Sequence, residues 1–449
     1  MTLVTIQWRL NMFRLRRLAL LPLLACIPLA AEVRSLTILH TNDLHARLTP
    51  SENHRGGFAY LASVIRRERA GCAGCILLDA GDIAQGTPVS TVFHGLPIFE
   101  IASKLGFDAG TLGNHDFDYG WMQARKFVEL AAYPIVSSNV VGPGGELFTP
   151  KPYVILTVNG LRVAVIGAMT DDLKTLQFPK AMGDWHTLPV IETARQYAAE
   201  LKSKSDLVVL LGHITGREET QFLATAPEIP VLVTGHVHSG LAEPIAKEGR
   251  ILVRVKGNGE ELGRLDLQVD TEKKAPVSFT WKHILVDSSA VEPAAEVARE
   301  VKRWEDDVKA RVDRPLAVSR RSFTRREVKA LIEQAMCAES GADFAFMNMG
   351  GIRAAIPEGQ LLERAIWDVM PFDNRLVFGT FKGRDLPPVV LGGRTVEPDR
   401  EYTLAVTDFT AANQGAPENL RSTGLKFPGD AGLLRDALID WFRKKKNVE

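Results

Sequence analysis

Five short fragments of the sequence place acids, amides or imidazoles directly after a predicted strand. None of these side chains is a thiolate, and carboxylate, amide and imidazole donors suit Zn, Mn, Fe or Mg. A single such fragment is more often a structural histidine, but five fragments in the same context predict a metal centre. The fragments contain five of the ten histidines and are Thr41-Asn42-Asp43-Leu44-His45, Ala80-Gly81-Asp82, Gly113-Asn114-His115-Asp116, Gly212-His213 and Gly235-His236-Val237-His238.

The spacing within two of the fragments predicts chelating pairs. Asp43 with His45, and His236 with His238, are two residues apart, so in an extended strand end each pair lies on one side. Asp82 carries two carboxylate oxygens and can bridge two cations about 3.5–4 Å apart, the spacing of two-metal hydrolases. The residue types therefore indicate hydrolytic metal chemistry.

Short apolar runs that alternate with longer amphipathic segments would hold these fragments in place. The short runs are apolar throughout, as strands covered on both faces should be. We therefore predict an α/β (α+β) fold with helices packed on sheets. Ligands in such folds bind beyond the carboxyl ends of strands, where distant loops converge. The runs are Leu36–His40, Cys75–Ala80, Val154–Val158, Val163–Ile166, Asp206–Leu211 and Val231–Thr234.

The chain changes character after the first unit. Residues 293–312 are polar and charged with helical period, and we interpret them as a solvent-facing linker helix, with a peripheral helix of the first unit as the alternative. We expect an interdomain cleft to open and close about this segment. The run Lys444-Lys445-Lys446 is interpreted as a frayed helix end. The second unit has predicted elements at Arg325–Ala338, Arg375–Phe381, Tyr402–Thr407 and Ala431–Lys446.

Composition and the first residues bear on partners and compartment. Lys+Arg and Asp+Glu are 54 each, and this balance gives no support to binding of a nucleic-acid polymer.

Residues 1–31 contain four arginines, no acid and the uncharged run Leu18–Ala31. This run is too short for a transmembrane span and is typical of a signal peptide. We therefore expect export, periplasmic or extracellular, with lipid anchoring through Cys26 as an alternative. Cys72 and Cys75 are either a disulfide or two thiols.

The motif order DxH, GD, GNHD, GH and GHxH resembles the calcineurin-like metallophosphoesterase superfamily from about Leu36 to Lys282. The resemblance implies a four-layer αββα domain over residues 35–285 that binds two divalent metal ions, such as Zn or Mn. In this family His115 stabilises the transition state or assists the leaving group, oriented by Asp118. The implied ligands are Asp43, His45, Asp82 and His238 for one metal, and Asp82, Asn114, His213 and His236 for the other.

Residues 315–449 resemble the smaller α/β C-terminal domain of the 5′-nucleotidase family. The resemblance rests on the fragments Asn348-Met349-Gly350-Gly351-Ile352-Arg353 and Met370-Pro371-Phe372-Asp373-Asn374. It implies substrate binding by Asn348, phosphate contact by Arg353, and stacking of Phe372 and Phe409 on the two faces of a base. The family's Gly-Gly-Asp-Gly stretch is replaced by residues 412–416, which leaves ribose recognition open. Another phosphate contact could come from Arg320, Arg321, Arg325 or Arg326.

These resemblances imply an exported dimetal phosphohydrolase, most simply a 5′-nucleotidase that releases nucleoside and phosphate by metal-activated hydroxide attack. Alternatives within the family are a UDP-sugar hydrolase and a 2′,3′-cyclic nucleotide phosphodiesterase. An alternative of another class is a nucleotide-binding protein whose catalysis has decayed. The preferred phosphate ester, the metal identity and the oligomeric state stay open.

Overall fold

The computed structural model describes residues 32–178, 180–416 and 418–449, so the leader predicted at residues 1–31 lies outside the described residues. The first domain begins with a long strand and ends with a long helix. Its strands are β1 (Val33–Thr41), β2 (Cys75–Asp79), β3 (Ala109–Gly110), β4 (Val140–Val141), β5 (Tyr153–Val158), β6 (Leu161–Met169), β7 (His186–Thr187), β8 (Leu207–His213), β9 (Val231–Gly235), β10 (Ile245–Lys247), β11 (Arg250–Val253), β12 (Glu261–Asp270) and β13 (Ala275–Leu285). Its helices are α1 (Phe58–Ala70), α2 (Pro88–Phe93), α3 (Leu96–Ala102), α4 (Trp121–Leu130), α5 (Leu173–Leu176), α6 (Val190–Leu201), α7 (Gly216–Thr225) and α8 (Ala295–Val312).

Stacked sheets form the centre of this domain. One sheet has the strand order β13-β12-β1-β2-β3, and another has the order β10-β11-β9-β8-β6-β5. Side chains such as Ile38, Leu78, Val209 and Val233 fill the space between the sheets. Helices α1 to α4 cover the outer face of one sheet, and α6 and α7 cover the other. The α/β prediction with helices packed on sheets is confirmed.

The helix α8 packs along the first domain. Val297, Val301, Val308 and Val312 are buried in the same core as α1 and α3, while the charged side of the helix faces outward. The prediction of a solvent-facing linker is therefore wrong for one face of the helix. Burial of the four valines attaches α8 to the first domain, which is the alternative interpretation of this segment.

The second domain has two smaller sheets, ordered β15-β18-β17-β19 and β16-β14-β20. Leu331, Ile332, Leu438 and Phe442 pack its long helices together. Its strands are β14 (Pro315–Ser319), β15 (Phe344–Ala345), β16 (Gly359–Leu362), β17 (Arg375–Lys382), β18 (Glu401–Thr407), β19 (Gly429–Leu433) and β20 (Asn447–Val448). Its helices are α9 (Arg325–Ser340), α10 (Glu363–Val369), α11 (Pro388–Leu391), α12 (Asp408–Ala412) and α13 (Leu434–Lys445).

Two local features differ from expectation or decide between alternatives. The segment after α13 is not frayed, because β20 pairs in parallel with β14 and Val318 N donates to Lys446 O at 2.9 Å. Cys72 and Cys75 form a disulfide in the turn between α1 and β2. Among the helices of the described residues, none is both long enough and apolar enough to cross a membrane.

Candidate metal centre and substrate cleft

The predicted ligands converge at one end of the two sheets of the first domain. Strands β1 and β2 run parallel, as do β6, β8 and β9, so the loops that follow them open in the same direction. Asn114 comes from a single 3₁₀ turn, Asn114–Phe117, shortly after β3. The loops after β1, β2 and β9 supply Asp43, His45, Asp82, His236 and His238, and His213 is the last residue of β8.

One half of the centre contains Asp43, His45, Asp82 and His238. Each offers one ligand atom, and these atoms lie within 4.8 Å of one another. His45 Nε2 faces His238 Nε2 at 3.0 Å, and His238 Nε2 lies 3.4 Å from Asp43 Oδ1. Two imidazole nitrogens that face each other need a proton or a cation between them. The donor set therefore fits a first-row divalent ion such as Zn.

The other half of the centre contains Asn114, His213 and His236. Asn114 Oδ1 lies 3.1 Å from His213 Nε2 and 2.9 Å from His236 Nδ1. Asp82 Oδ2 lies 3.2 Å from His213 Nε2 and 3.9 Å from His45 Nε2, so it faces both halves. This buried oxygen accepts no well-aligned hydrogen bond within the described part of the chain. A carboxylate oxygen in this position fits the role of a bridge between two cations.

The backbone reaches this arrangement by tight turns rather than by extended strand ends. Asp43, His45, Asp82, His236 and His238 have φ values of 52°, 47°, 56°, 78° and 36°. Asp43 and His45 lie together in one half of the centre, whereas His238 lies in that half and His236 in the other. The strand-alternation reason for the two pairs does not apply, because β1 ends at Thr41 and β9 at Gly235. Left-handed backbone at non-glycine residues is costly and concentrates at functional sites.

Burial and charge set the protonation of the ligands. Burial, assisted by the charge of His213, lowers the pKa of His236 to about 3, and burial with Arg353 lowers the pKa of His238 to about 3. Burial opposes ionisation of Asp82, but the charges of His213 and His115 hold its pKa well below the usual range. Two neutral imidazoles and one ionised carboxylate are the forms that bind metals at neutral pH.

His115 and Asp118 form the contact expected of them. His115 Nδ1 lies 2.8 Å from Asp118 Oδ2, and the backbone N–H of His115 donates to Asp82 Oδ1 at 2.8 Å. Burial lowers the pKa of His115, but the charges of Asp118 and Asp82 outweigh it and raise that pKa above its usual value. With Nδ1 occupied, Nε2 is the ring nitrogen left for a substrate.

Asp116 supports the metal loops and was given no role by the sequence. Its Oδ2 accepts the backbone N–H groups of Gly113 at 2.8 Å and Asp82 at 3.2 Å. Its Oδ1 accepts the N–H of Ala84 at 2.9 Å. A single buried carboxylate thus ties the loop of Asp82 to the loop of Asn114.

The loop that carries His236 and His238 has a separate support. Arg254 Nη1 lies 2.5 Å from Glu219 Oε2, and Arg254 Nε donates to Ser239 O at 2.8 Å. Thr234 donates to the other oxygen of Glu219 at 2.6 Å. Partners around metal ligands that fix their orientation commonly govern metal affinity. No local motif marks Glu219, because it lies inside α7.

A cleft of about 650 Å³ lies between the metal centre and the second domain. Arg353 crosses it, with Nη2 3.0 Å from His45 Nε2. Of the four candidate arginines before and in α9, Arg325 lines the cleft, and its side chain donates to Ile352 O at 2.7 Å and Met349 O at 3.2 Å. The arginine of the Gly-Gly-Ile-Arg motif is therefore held at the metal centre.

The remaining predicted substrate residues also line this cleft. The ring of Phe372 lies 5.7 Å from that of His115 at an interplanar angle of 30°. Phe409 meets Phe178 of the first domain edge-on, at 5.6 Å and 83°. Asn348 is buried, and its Oδ1 has no partner among the described residues. Residues 412–416 offer no acid, whereas Glu418 lines the cleft with its carboxylate.

Each of the two domains contains a region that matches a known family of domains. Residues 36–240 match the model of the calcineurin-like phosphoesterases, and residues 307–391 match that of the 5′-nucleotidase C-terminal domain. The chain is 27% identical to the 5′-nucleotidase of Vibrio cholerae, with 91% of each chain covered. It is 26% identical to the endonuclease YhcR of Bacillus subtilis over 85% of this chain, which spans 37% of that longer protein.

The fold has a counterpart among solved structures. The 5′-nucleotidase precursor of Thermus thermophilus superposes with a TM-score of 0.84 at 22% sequence identity. The superposition covers 92% of this chain and 97% of that one. The likeness therefore extends over both domains and shows that their arrangement is a known one.

We predict that Asp116→Asn weakens metal binding. Asn keeps only one acceptor oxygen, so at least one of the three backbone N–H groups meets an NH₂ group instead of an acceptor, and the anchor shared by the loops of Asp82 and Asn114 is weakened. Titration of Mn²⁺ or Zn²⁺ into chelator-treated protein should show affinity reduced about 10- to 100-fold. Glu272→Gln, at an exposed acid just after Asp270, which pairs with Val33 at the end of β1 remote from Asp43, is the control and should bind metal as the native chain does. Equal affinities in the two variants would contradict the role of Asp116.

Proposed function

We propose that this chain, a member of the 5′-nucleotidase family with a calcineurin-like phosphoesterase domain, hydrolyses nucleotides to nucleoside and inorganic phosphate. It is a metal-dependent phosphoester hydrolase by its domains. The observation that carries the proposal is the position of Arg353, whose guanidinium reaches His45 of the metal centre from the second domain. A phosphate bound there would meet metal ligands on one side and a guanidinium fork on the other.

Two divalent cations supply the electrophilic chemistry of this proposal. When bound, they withdraw charge from the phosphoryl oxygens and lower the pKa of a coordinated water towards ~7. Asp82 is placed to be shared by both ions, since it faces His45 and His213. We propose that Asp43, His45, Asp82 and His238 hold one ion and that Asp82, Asn114, His213 and His236 hold the other.

His115 and Asp118 would serve the leaving oxygen. Asp118 raises the pKa of His115 and fixes its ring through Nδ1, so a protonated Nε2 is directed into the cleft. An imidazolium in this position stabilises negative charge on the transferring group and can give its proton to the departing alkoxide. The proton then remains on the nucleoside hydroxyl that is released.

The second domain would select the substrate. Arg353 orients the phosphate, because its planar guanidinium can bond two phosphate oxygens at once. Phe372 and Phe409 line the same cleft and offer rings on which a base can stack. Asn348 brings a buried carbonyl oxygen that lacks a partner among the described residues, as a group that accepts from a ligand N–H would. The name of the Vibrio cholerae relative agrees with this assignment.

A substrate panel tests the proposal. We expect kcat/KM to be highest for nucleoside 5′-monophosphates, lower for UDP-sugars and 2′,3′-cyclic nucleotides, and abolished by a chelator until Mn²⁺ or Zn²⁺ is restored. Arg353→Met should raise KM for the nucleotide about tenfold or more, since it removes a charge-assisted bond to phosphate. The exposed Arg384→Met is the matched control. No metal-dependent phosphate release from any ester would overturn the proposal, and this result would favour a binding protein.

We further predict that His115→Ala lowers kcat by about 10²- to 10⁴-fold, the range of a positioned general acid. Metal content should stay unchanged, because His115 is not among the proposed ligands. Asp118→Asn should show a smaller loss together with an altered pH–rate profile, since it removes the charge that raises the pKa of His115. Stopped assays at saturating substrate, with metal analysis of each variant, provide the measurement. A native kcat in His115→Ala would contradict this role.

We also propose that the protein is exported. The basic and apolar leader at residues 1–31 is supported by the disulfide between Cys72 and Cys75, because disulfides persist in oxidising compartments. Expression of the full chain in a bacterium should yield a shortened protein in the periplasm, with a new N-terminus near residue 32. Mass spectrometry of the cell fractions measures this outcome. An intact, reduced chain confined to the cytoplasm would contradict it.

A further inference from the structure

The lining of the cleft includes an aromatic residue from the first domain. Phe178 follows α5, lies outside the metal-binding motifs and is half-buried. Its ring lines the cleft and meets the ring of Phe409 from the second domain at 5.6 Å and 83°. Edge-to-face packing of this kind is favourable between aromatic rings. The lining is therefore built from both domains.

The segment of Phe178 is anchored to the metal centre. The preceding residue, Gln177, is buried, and its Nε2 donates to the backbone oxygen of the ligand Asn114 at 2.6 Å. The backbone oxygen of Gln177 accepts from Asn413 Nδ2 of the second domain at 3.4 Å. The position of Phe178 is thus fixed relative to one metal ligand and to the helix end that follows Phe409.

The cleft contains another aromatic ring, close to the metal centre. Phe372 lies beside His115, and the Cζ atom of Arg353 is 6.0 Å from the centre of the Phe372 ring. Arg353 lines the same cleft as Phe372, Phe178 and Phe409, so a phosphate ester held by Arg353 would have its organic group in the cleft that these rings line. These three rings present apolar, planar surfaces, and the acids Asp172 and Glu418 line the same cleft.

We propose that Phe178 is a specificity-determining residue, which forms with Phe409 a single aromatic wall against which the base of the substrate packs. This inference rests on the proposed nucleotide hydrolysis and adds a recognition element from the catalytic domain itself. Gln177 connects the aromatic wall to Asn114. The segment that contains Gln177 and Phe178 therefore sets the distance between the base-binding wall and the metal centre that binds the phosphate. Discrimination between base-bearing and base-free phosphate esters therefore depends on a residue outside the second domain.

The test compares a nucleotide with the same molecule lacking its base. We would measure kcat and KM for AMP and for ribose 5-phosphate in the native enzyme, in Phe178→Ala, in Phe178→Trp and in Phe409→Ala. Phe279→Ala, at a partly exposed phenylalanine on β13, is the matched control. Thermal unfolding and metal content establish that each variant is folded and loaded.

Loss of a stacking surface should act on binding of the base alone. We expect Phe178→Ala to raise KM for AMP about tenfold, the scale of base–aromatic stacking, with kcat for AMP and both constants for ribose 5-phosphate nearly native. Phe178→Trp should retain the preference for AMP. The double variant Phe178→Ala/Phe409→Ala should lose no more than the larger single loss, because two rings of one wall are not additive.

The outcomes separate this inference from the proposed function. The inference fails if the native enzyme cleaves AMP and Phe178→Ala keeps the native preference for AMP over ribose 5-phosphate. It also fails if Phe178→Ala lowers kcat/KM equally for both substrates, because Phe178 then has only a structural role. If the native enzyme cleaves neither AMP nor ribose 5-phosphate, the proposed function fails first. Additive losses in the double variant would show that the two rings act separately and would overturn the single wall.

Discussion

The carboxylate of Asp82 is the point on which the structure depends. It is buried, and its Oδ2 faces His45 on one side and His213 on the other. A buried carboxylate is tolerated only where positive charge and hydrogen bonds compensate its lost hydration. Here the compensation comes from imidazoles on distant strands and from the N–H of His115. Parallel strands whose carboxyl ends lie side by side are the simplest way to bring such groups together.

Residues around Asp82 hold the metal-binding loops in place through several sets of contacts. Asp116 holds two metal loops through their backbone, and the pair of Glu219 and Arg254 holds a third. Five of the predicted ligands have left-handed backbone, a costly conformation that the surrounding structure must hold in place. Contacts with the second domain provide further support around the cleft. Arg353 reaches His45, Thr91 Oγ1 donates to Pro371 O at 2.8 Å, and Arg47 pairs with Asp368 at 3.8 Å. Rigidity of the centre thus arises from contacts that are remote in sequence.

The sequence predicted what local chemistry can reveal. An imidazole or acid just after an apolar strand, as in Asp43 or His236, carries both its chemistry and its place in the fold. Glu219 and Gln177 carry no such signal, because their roles are contacts to residues far along the chain. The stacking role of a ring such as Phe178 is equally hidden, since an aromatic residue in a loop most often packs in the core. The helix α8 did carry a signal, because Val297, Val301, Val308 and Val312 recur at helical spacing, but the charges between them masked it.

Because α8 packs on the first domain, a truncated version of that domain should end after α8 rather than before it. A fragment that stopped at residue 285 would uncover the surface that the four valines cover and would expose an apolar patch prone to aggregation. Because Val312 belongs to the buried core of the first domain, we expect a folded fragment of that domain to extend at least to this residue. At that junction Asp313 pairs with Arg364 and Arg314 pairs with Glu363, so both charged residues after α8 are tied to α10. The ion pair that runs from α8 itself to α10 joins Glu305 and Arg364 at 2.8 Å, so a rotation of the second domain about Val312 would have to stretch or break that contact.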